Sequence, residues 1–406
     1  MIPAGTVKRN LLEAGISANL FVPMTDWNRI RSLYMVPRNV VYLNNGSFGP
    51  APRPVFDALV RYLKQLEENP SVFDDQFARM RAVVKPKLAA FVGSDPAYTA
   101  VVVNLTFGMN VLAQGIRGLS PGDEVLATDQ EYGAVNNTWD YTACRQGLVV
   151  RKVAIPSPPE SAQQVVELIE RAITPKTRVI YVSHVTTGTG LVQPVKEICA
   201  LARAHRILSF IDGAHAPGMI KVDIADIGCD FYAGNCHKWL NAPKGTAFIA
   251  MTRRSWDRIA PFQVGWGWEK DKPETFEGNF EKPGVHNSAL SSAIGEAVDF
   301  QLSIGKDAIE ARGRELAEHT KDRLTRLPGV RLLTPRDPRL CGSMSAFSLP
   351  AAGNDHRLLG ALKSRGIVVP ARIGPSGGWL RVSTHIYNSA ADVQVLEEAL
   401  KEGLAG

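Results

Sequence analysis

Short runs of apolar and β-branched residues recur through the middle of the chain, each followed by a stretch with helical periodicity. These runs have the composition of buried strands and occupy residues 101–103, 148–155, 178–184 and 207–211, and a turn followed by a strand occupies 121–127. Strands that alternate with helices in this way predict a mainly parallel sheet covered by helices. In such a sheet, the residues that bind ligands follow the carboxyl ends of the strands. We therefore looked for reactive side chains at these positions.

Length and composition limit the possible functions. A chain of 406 residues with 45% hydrophobic content can form a large core and two or three domains. The net charge of +6 comes from basic residues spread along the whole sequence, which does not predict a nucleic-acid-binding surface. No apolar run approaches the ~20 residues of a membrane span, and the first residues lack the apolar core of a signal peptide.

The five cysteines are scattered, without a CxxC pair or a His/Cys zinc pattern, so no metal site is predicted. An odd, dispersed set of thiols is typical of a reducing compartment. We therefore expect a cytoplasmic protein that acts on small molecules.

Lys238 is the strongest candidate for a reactive side chain. It lies between His237 and Trp239, with Leu240 next and Pro243 close behind. Apolar surroundings and nearby cations lower the pKa of a lysine, which makes its amine a usable nucleophile and base. A lysine of this kind can form a Schiff base with an aldehyde cofactor.

Asp212 follows the predicted strand at 207–211, and His215 lies three residues further on. An aspartate at this point could simply cap the next helix. It could also face the ring nitrogen of pyridoxal phosphate (PLP) and keep that nitrogen protonated, so that the ring accepts electrons. Together with Lys238, the pair favours PLP as the cofactor.

Four motifs in order resemble the class V aminotransferase family of PLP enzymes, and within it the isopenicillin N epimerase-like branch. The resemblance spans about residues 41 to 400, and the motifs are LNNGSFG at 43–49, DGAH at 212–215, GNCHKW at 234–239 and LRVS at 380–383 followed by Tyr387 and Asn388. It implies an α/β fold of PLP-dependent fold type I, with a large domain containing a mainly parallel seven-stranded sheet and a small C-terminal α+β domain. The expected divisions are an N-terminal arm (1–45), the PLP-binding domain (46–295) and the small domain (296–406), on which part of the arm packs.

The resemblance also assigns cofactor contacts. Tyr132 stacks on the ring, where cysteine desulfurases of this class have a histidine. His215 contacts the phenolic oxygen of the ring, with Thr187 beside it. Contacts to the phosphate are expected from the remaining residues of this set, which are Thr106, the backbone of Gly108, Asn235 and His237.

Arg381 is the candidate for binding the α-carboxylate of an amino-acid substrate, because its planar guanidinium pairs with a carboxylate through two parallel hydrogen bonds. Asn45 and His184 are expected near the substrate. The alternatives are a surface ion pair for Arg381 and an ordinary turn around Asn45. In the family, a threonine that reaches the phosphate in the partner subunit of a homodimer follows Gly284, but this chain has Val285 there.

The reaction type stays open at this stage. Desulfurases carry a nucleophilic cysteine in the loop before the arginine, whereas residues 370–378 contain no cysteine. The remaining reactions are epimerisation, C–S β-elimination on a cysteine S-conjugate, and transamination or oxidative deamination with or without decarboxylation. The epimerase-like branch implies an amino acid carried on a larger, antibiotic-type intermediate. A catalytically silent ligand-binding protein on the same fold is the alternative outside enzymes.

Overall fold

The computed structural model describes residues 26–261, 263–282, 284–351, 355–374 and 377–404. The first part of the predicted N-terminal arm, residues 1–25, lies outside this range. The strands of the described residues are β1 (Val41–Tyr42), β2 (Thr99–Val102), β3 (Glu124–Thr128), β4 (Val149–Val153), β5 (Thr177–Ser183), β6 (Leu208–Asp212), β7 (Phe231–Asn235), β8 (Ala247–Met251), β9 (Arg331–Leu332), β10 (Met344–Leu349), β11 (Ile367–Val368), β12 (Ala371–Gly374) and β13 (Gly377–Ser383).

Helices cover both faces of the sheets. The α-helices are α1 (Trp27–Ser32), α2 (Arg53–Glu68), α3 (Val72–Arg79), α4 (Lys85–Val92), α5 (Leu105–Gly115), α6 (Gly133–Gln146), α7 (Ala162–Ala172), α8 (Val195–Ala204), α9 (Ile224–Ile227), α10 (Phe276–Phe280), α11 (Ser288–Ser292), α12 (Ile294–Ile304), α13 (Lys306–Leu324), α14 (Asp355–Ser364) and α15 (Ala390–Leu404). A π-helical turn, Met80–Val84, joins α3 to α4. None of the helices in the described ranges combines the length and the hydropathy needed to cross a bilayer.

The main sheet has seven strands in the order β2-β8-β7-β6-β5-β3-β4. Strands β3 to β7 are parallel, whereas β8 runs antiparallel to both of its neighbours. The predicted mainly parallel, seven-stranded α/β fold is therefore confirmed. Its parallel strands have their carboxyl ends at one edge, where Ser183 pairs in register with Asp212, and Asp212 with Ala233.

Both faces of this sheet are buried. Along β5, Ile180 and Val182 pack into one apolar cluster, whereas Val179 and Tyr181 pack into the other. Successive side chains of a strand point to opposite faces, so a strand covered by helices on both sides must be apolar at nearly every position. This requirement explains why the strands were visible in the sequence as continuous apolar runs.

A second, four-stranded sheet has the order β12-β13-β10-β9 and lies within the predicted C-terminal part. Strand β1 pairs with β11, and the Leu43 amide donates to the Val368 carbonyl oxygen over 2.9 Å. The chain after β1 then runs beside the end of β13, where the Ser383 amide donates to the Leu43 carbonyl oxygen over 2.9 Å. The residues after Leu43 are thereby held between the two sheets. The predicted boundary at residue 295 falls inside the first turn of α12, and the domain division stays a prediction.

Candidate active site

Lys238 lies shortly after β7, in a turn that is fixed through its backbone. Its carbonyl oxygen accepts hydrogen bonds from the side-chain amides of Asn241 (3.0 Å) and Asn45 (3.3 Å). The Gly49 amide donates to the adjacent carbonyl oxygen of His237 over 3.1 Å. A Cβ atom at Gly49 would stand 1.8 Å from the Lys238 carbonyl oxygen, so only glycine permits this approach. The loop after β1 therefore holds the turn that contains Lys238 in place through these hydrogen bonds and this close contact.

The Lys238 amine is enclosed by polar groups from other elements. Its Nζ lies 3.2 Å from Nε2 of His215 and 5.9 Å from the centre of the Tyr132 ring. Burial lowers the pKa of Lys238 to about 8; the negative charge of Asp212 opposes this shift, and the Arg381 guanidinium adds to it. At pH 7 roughly a tenth of the amine is thus neutral and nucleophilic, far more than for an exposed lysine.

Asp212 ends β6 as a buried carboxylate. Its Oδ1 accepts a hydrogen bond from the Ala214 amide over 2.9 Å, whereas Oδ2 has no hydrogen-bond donor among the described residues. Burial raises the pKa of Asp212 to about 6, although the Ala214 hydrogen bond and the Lys238 charge act in the opposite direction. A carboxylate left half-satisfied in this way is a ready partner for a protonated ring nitrogen.

His215 is buried, and both of its ring nitrogens have partners. Nδ1 faces the indole Nε1 of Trp239 at 3.2 Å, and Nε2 faces the Thr187 hydroxyl at 3.1 Å as well as the Lys238 amine. Burial, followed by the charges of Lys238 and Arg381, holds the pKa of His215 well below its usual value. The imidazole is therefore neutral beside the lysine.

Arg381 lies in β13 and points toward the same space. Its Nη2 donates to the Ser47 hydroxyl over 2.8 Å, and its Nη1 donates to the Thr187 carbonyl oxygen over 3.1 Å. Its Nε is buried, and none of the described residues offers it a hydrogen-bond acceptor. Burial lowers the pKa of this guanidinium to about 10. It faces no carboxylate among its hydrogen-bond partners, so an incoming anion would relieve the cost of burying the charge.

The amino terminus of α5 keeps one backbone donor, the Thr106 amide, for an anion. The Asn104 side chain caps the helix by accepting from the Phe107 amide over 2.8 Å, and the Leu105 amide donates to Asn235 Oδ1 over 3.0 Å. The Thr106 amide has no acceptor among the described residues. Free amides at the start of a helix bind phosphate groups. This arrangement is compatible with the predicted contact of Thr106.

The expectation for Gly108 needs correction. Its amide donates to the Asn104 carbonyl oxygen over 3.0 Å, so this group is used within the helix and is not available to a phosphate. A Cβ atom at this position would lie 2.8 Å from Cγ2 of Ile249 on β8. Glycine is required here because α5 packs closely against the sheet.

His237 and Asn235 lie on the same side as the start of α5. The Nδ1 of His237 donates to the Thr246 carbonyl oxygen over 3.1 Å, because a carbonyl can only accept. Its Nε2 has no hydrogen-bond partner among the residues that the structure describes. Burial is the largest cause that lowers the pKa of His237. Asn235 uses its oxygen on the Leu105 amide. Asn235 therefore orients the helix start, and His237 keeps one ring nitrogen for a ligand.

Asn45 and His184, which were expected near the substrate, contact other side chains of the protein. Asn45 is fully buried, and its Oδ1 accepts from Tyr387 (3.1 Å) and Asn241 (3.3 Å) while its amide holds Lys238. His184 is buried with Nδ1 at 3.0 Å from the Tyr232 hydroxyl. The side-chain oxygen and nitrogen of Asn45 are thus both used in contacts with residues distant in sequence, and His184 uses its Nδ1 in the same way.

Sequence reasoning gave no individual role to Asn44, Ser47 or Trp239. Asn44 and Ser47 contact Arg381, and Trp239 contacts His215. All three belong to the motifs on which the family resemblance rests, LNNGSFG at 43–49 and GNCHKW at 234–239. The signal was thus present, but the pairing across more than 300 residues between Ser47 and Arg381 depends on the fold.

These groups fit PLP by their chemistry. The aldehyde could bind Lys238, the ring nitrogen could face the unpaired Oδ2 of Asp212, and the phosphate could use the Thr106 amide. The described part of the chain contains no group of three or more His, Cys, Asp or Glu side chains that could hold a metal ion.

The Aminotransferase class-V family profile matches residues 41–396 of the chain. The chain belongs to this family. Class V aminotransferases are PLP-dependent enzymes, so the predictions of an enzyme and of PLP as its cofactor are confirmed. The predicted resemblance to the epimerase-like branch is confirmed as well by the following relative.

Isopenicillin N epimerase from Amycolatopsis lactamdurans is 36% identical to the chain over 395 residues, covering 93% of the chain and 98% of the relative. A probable cysteine desulfurase from Halobacterium salinarum is 29% identical over 393 residues, covering 90% of the chain and 91% of that protein. Among solved structures, a C-DES mutant with glycine covalently linked to its PLP cofactor is similar, with a TM-score of 0.82 at 21% identity, covering 92% of the chain and 99% of C-DES. At this identity the structural match supports the fold alone.

Proposed function

We propose that the enzyme epimerises the Cα atom of an α-amino acid carried on a larger, antibiotic-type molecule, as isopenicillin N epimerase does. The observation that carries this proposal is that two cationic side chains are buried in the same site. Burial lowers the pKa of Lys238 to about 8, and the Arg381 guanidinium has no carboxylate among its hydrogen-bond partners in the described residues. These groups suit a substrate with an acidic Cα proton and a carboxylate. The 36% identity to an epimerase over nearly its whole length supports the choice among reactions.

Arg381 would bind the substrate's α-carboxylate. Its present hydrogen bonds to the Ser47 hydroxyl and the Thr187 carbonyl oxygen hold the guanidinium plane, and its unpaired Nε keeps a donor free. A planar fork fixes the orientation of a carboxylate, and thereby which Cα bond faces the lysine.

Inversion needs a new proton on the face of Cα opposite the one that lost it, supplied by solvent or a second acid; Lys238 would take the original Cα proton. Its pKa of about 8 lets the amine accept a proton near neutral pH and release it again. When bound, PLP withdraws electrons from the substrate and makes the Cα proton acidic. Asp212 would hold the ring nitrogen, Tyr132 would cover the ring, and His215 would donate to an oxygen beside Lys238.

The alternative in the same site is C–S β-elimination on a cysteine S-conjugate. A probable cysteine desulfurase is among the relatives, and elimination needs only the lysine and a leaving group at Cβ. Desulfuration through a cysteine persulfide on the enzyme is not proposed, because residues 370–378 provide no cysteine. Transamination would use the same lysine and an oxo acid as amino acceptor, and oxidative deamination would need molecular oxygen as oxidant; both are further outcomes of the test.

The test is incubation of the PLP-loaded protein with isopenicillin N in D₂O, beside a cysteine S-conjugate. Epimerisation predicts inversion at Cα with one solvent deuterium, measured by chiral chromatography and mass spectrometry. Release of thiol, pyruvate and ammonia from the conjugate without inversion would overturn the epimerase proposal in favour of the lyase. Formation of an oxo acid would indicate transamination or deamination. Lys238→Ala is the inactive control in each assay.

We also propose a homodimer in the cytoplasm. Trp266 is 92% and Val285 90% exposed, and Val285 lines a cavity of about 310 Å³ together with Phe107 and Phe280. Large exposed apolar groups commonly mark interfaces. Five free thiols, four of them buried, support a reducing compartment. Light scattering should give twice the mass of one 44.2 kDa chain, and Val285→Lys should lower it.

A further inference from the structure

Trp239 is buried completely, and its indole Nε1 lies 3.2 Å from Nδ1 of His215. An indole N–H can only donate a hydrogen bond. Nδ1 of His215 must therefore be the acceptor, without a proton of its own. Since a neutral imidazole carries one N–H, that proton must be on Nε2, which faces Lys238 and Thr187.

The tryptophan itself is held rigidly. Its carbonyl oxygen accepts from Nε2 of His385 (2.8 Å) and from the side-chain amide of Gln301 (2.9 Å), and its ring lies 5.5 Å from the His385 ring. A donor fixed by packing and backbone contacts can impose one proton arrangement on its partner. A mobile donor would allow the imidazole to change tautomer or to take a second proton.

We propose that Trp239 is a positioning residue that locks His215 in its Nε2–H tautomer, so that this histidine presents a proton donor into the space beside Lys238. Protonation of Nδ1 would bring two N–H groups face to face at 3.2 Å, which disfavours the imidazolium. The locked Nε2–H has the Thr187 hydroxyl as an acceptor, and the Lys238 amine as a second one whenever that amine is neutral. With PLP bound, it would be a donor for an oxygen of the ring.

This tautomer has a consequence for Lys238. An ammonium group can donate to Nε2 only when that nitrogen carries no proton. The tautomer imposed by Trp239 therefore favours the neutral amine at a distance of 3.2 Å, which is the form that attacks an aldehyde. The inference goes beyond the proposed function, because it holds whichever bond at Cα or Cβ is broken.

The test is ¹⁵N NMR of histidine-labelled protein near neutral pH, with and without PLP. His215→Gln identifies the His215 signals by their loss. We expect a pyridine-type signal for Nδ1 and a pyrrole-type signal for Nε2 in the unmodified protein. A pyrrole-type Nδ1 would overturn the proposal at once, without any variant at Trp239.

Trp239→Phe then tests the cause. Loss of the indole donor should give His215 a mixture of tautomers or an added proton, seen as a shift of both nitrogen signals. Trp139→Phe is the matched control, because Trp139 is equally buried but its Nε1 has no hydrogen-bond partner in the described parts of the chain. Unchanged His215 signals in folded Trp239→Phe, or the same shift in both variants, would overturn the proposal. Far-UV circular dichroism establishes folding, and if Trp239→Phe does not fold, the spectrum of the unmodified protein still decides.

Discussion

The buried carboxylate of Asp212 should make the cofactor-free protein less stable as pH rises. Burial raises its pKa from 3.8 to about 6, so the folded state binds this proton more tightly than the unfolded chain does. The contribution is fully present below the unfolded pKa and is lost as pH rises through the folded one. A shift of about two units at ~1.4 kcal/mol each corresponds to roughly 3 kcal/mol of unfolding free energy.

Asp212→Asn removes the charge and keeps an oxygen for the Ala214 amide, whose hydrogen bond to Oδ1 is 2.9 Å long. We expect equal stability of the two cofactor-free proteins at the acid end of this range. Above the folded pKa, the variant should be more stable by up to roughly 3 kcal/mol. Urea unfolding at a series of pH values, followed by circular dichroism, measures the difference.

The matched control is Asp271→Asn, because Asp271 is exposed to solvent and far from the site in sequence. It should leave the pH dependence unchanged. Glu131 is a second buried carboxyl, and burial, with the Asp212 charge as a smaller cause, raises its pKa to about 7. Asp212→Asn removes that smaller cause as well, so the measured difference includes the repulsion between the two carboxylates. Parallel pH profiles for wild type and Asp212→Asn would refute the reasoning. With PLP bound, wild type should be more stable than Asp212→Asn, because a protonated ring nitrogen stabilises the charged Asp212 carboxylate and not the neutral asparagine.

Substitutions at three other positions test the site. Gly49→Ala would place a Cβ atom 1.8 Å from the Lys238 carbonyl oxygen and should cost about 2–3 kcal/mol in urea unfolding, whereas Gly360→Ala, with no atom within 4 Å, should cost little. Arg381→Lys keeps the charge but loses the planar fork, so KM should rise about 10- to 100-fold in steady-state kinetics; an unchanged KM would argue against carboxylate binding there. Tyr132→Phe should retain PLP affinity in fluorescence titration, whereas Tyr132→Ala should weaken it several-fold; equal losses would contradict a stacking role.

The fold and the charged centre of the site were predictable from the sequence because they depend on local patterns. Strands buried on both faces have to be apolar throughout, so β5 and β6 appear as uninterrupted runs. Asp212 ends such a run, and Lys238 follows another. Arg381 is unusual as a charged residue inside an apolar strand. Each of these signals lies within a few residues of the chain.

The individual contacts were not predictable, because they depend on residues brought together from distant segments. Asn45 was expected at the substrate. In the structure its side-chain nitrogen donates to Lys238, and its side-chain oxygen accepts from Asn241 and Tyr387. A glycine at the start of a helix, such as Gly108, resembles a phosphate contact in sequence, yet here it allows α5 to approach β8.

The central claim is that Lys238 carries the cofactor, and the visible absorption spectrum of the purified, PLP-loaded protein tests it most directly. We expect a yellow band that borohydride removes, and after reduction a PLP-modified peptide that contains Lys238. Lys238→Ala should lack both features, whereas Lys244→Ala, which removes a nearby lysine, should keep them. A colourless protein that PLP cannot reconstitute, or a band that persists in Lys238→Ala, would contradict the account.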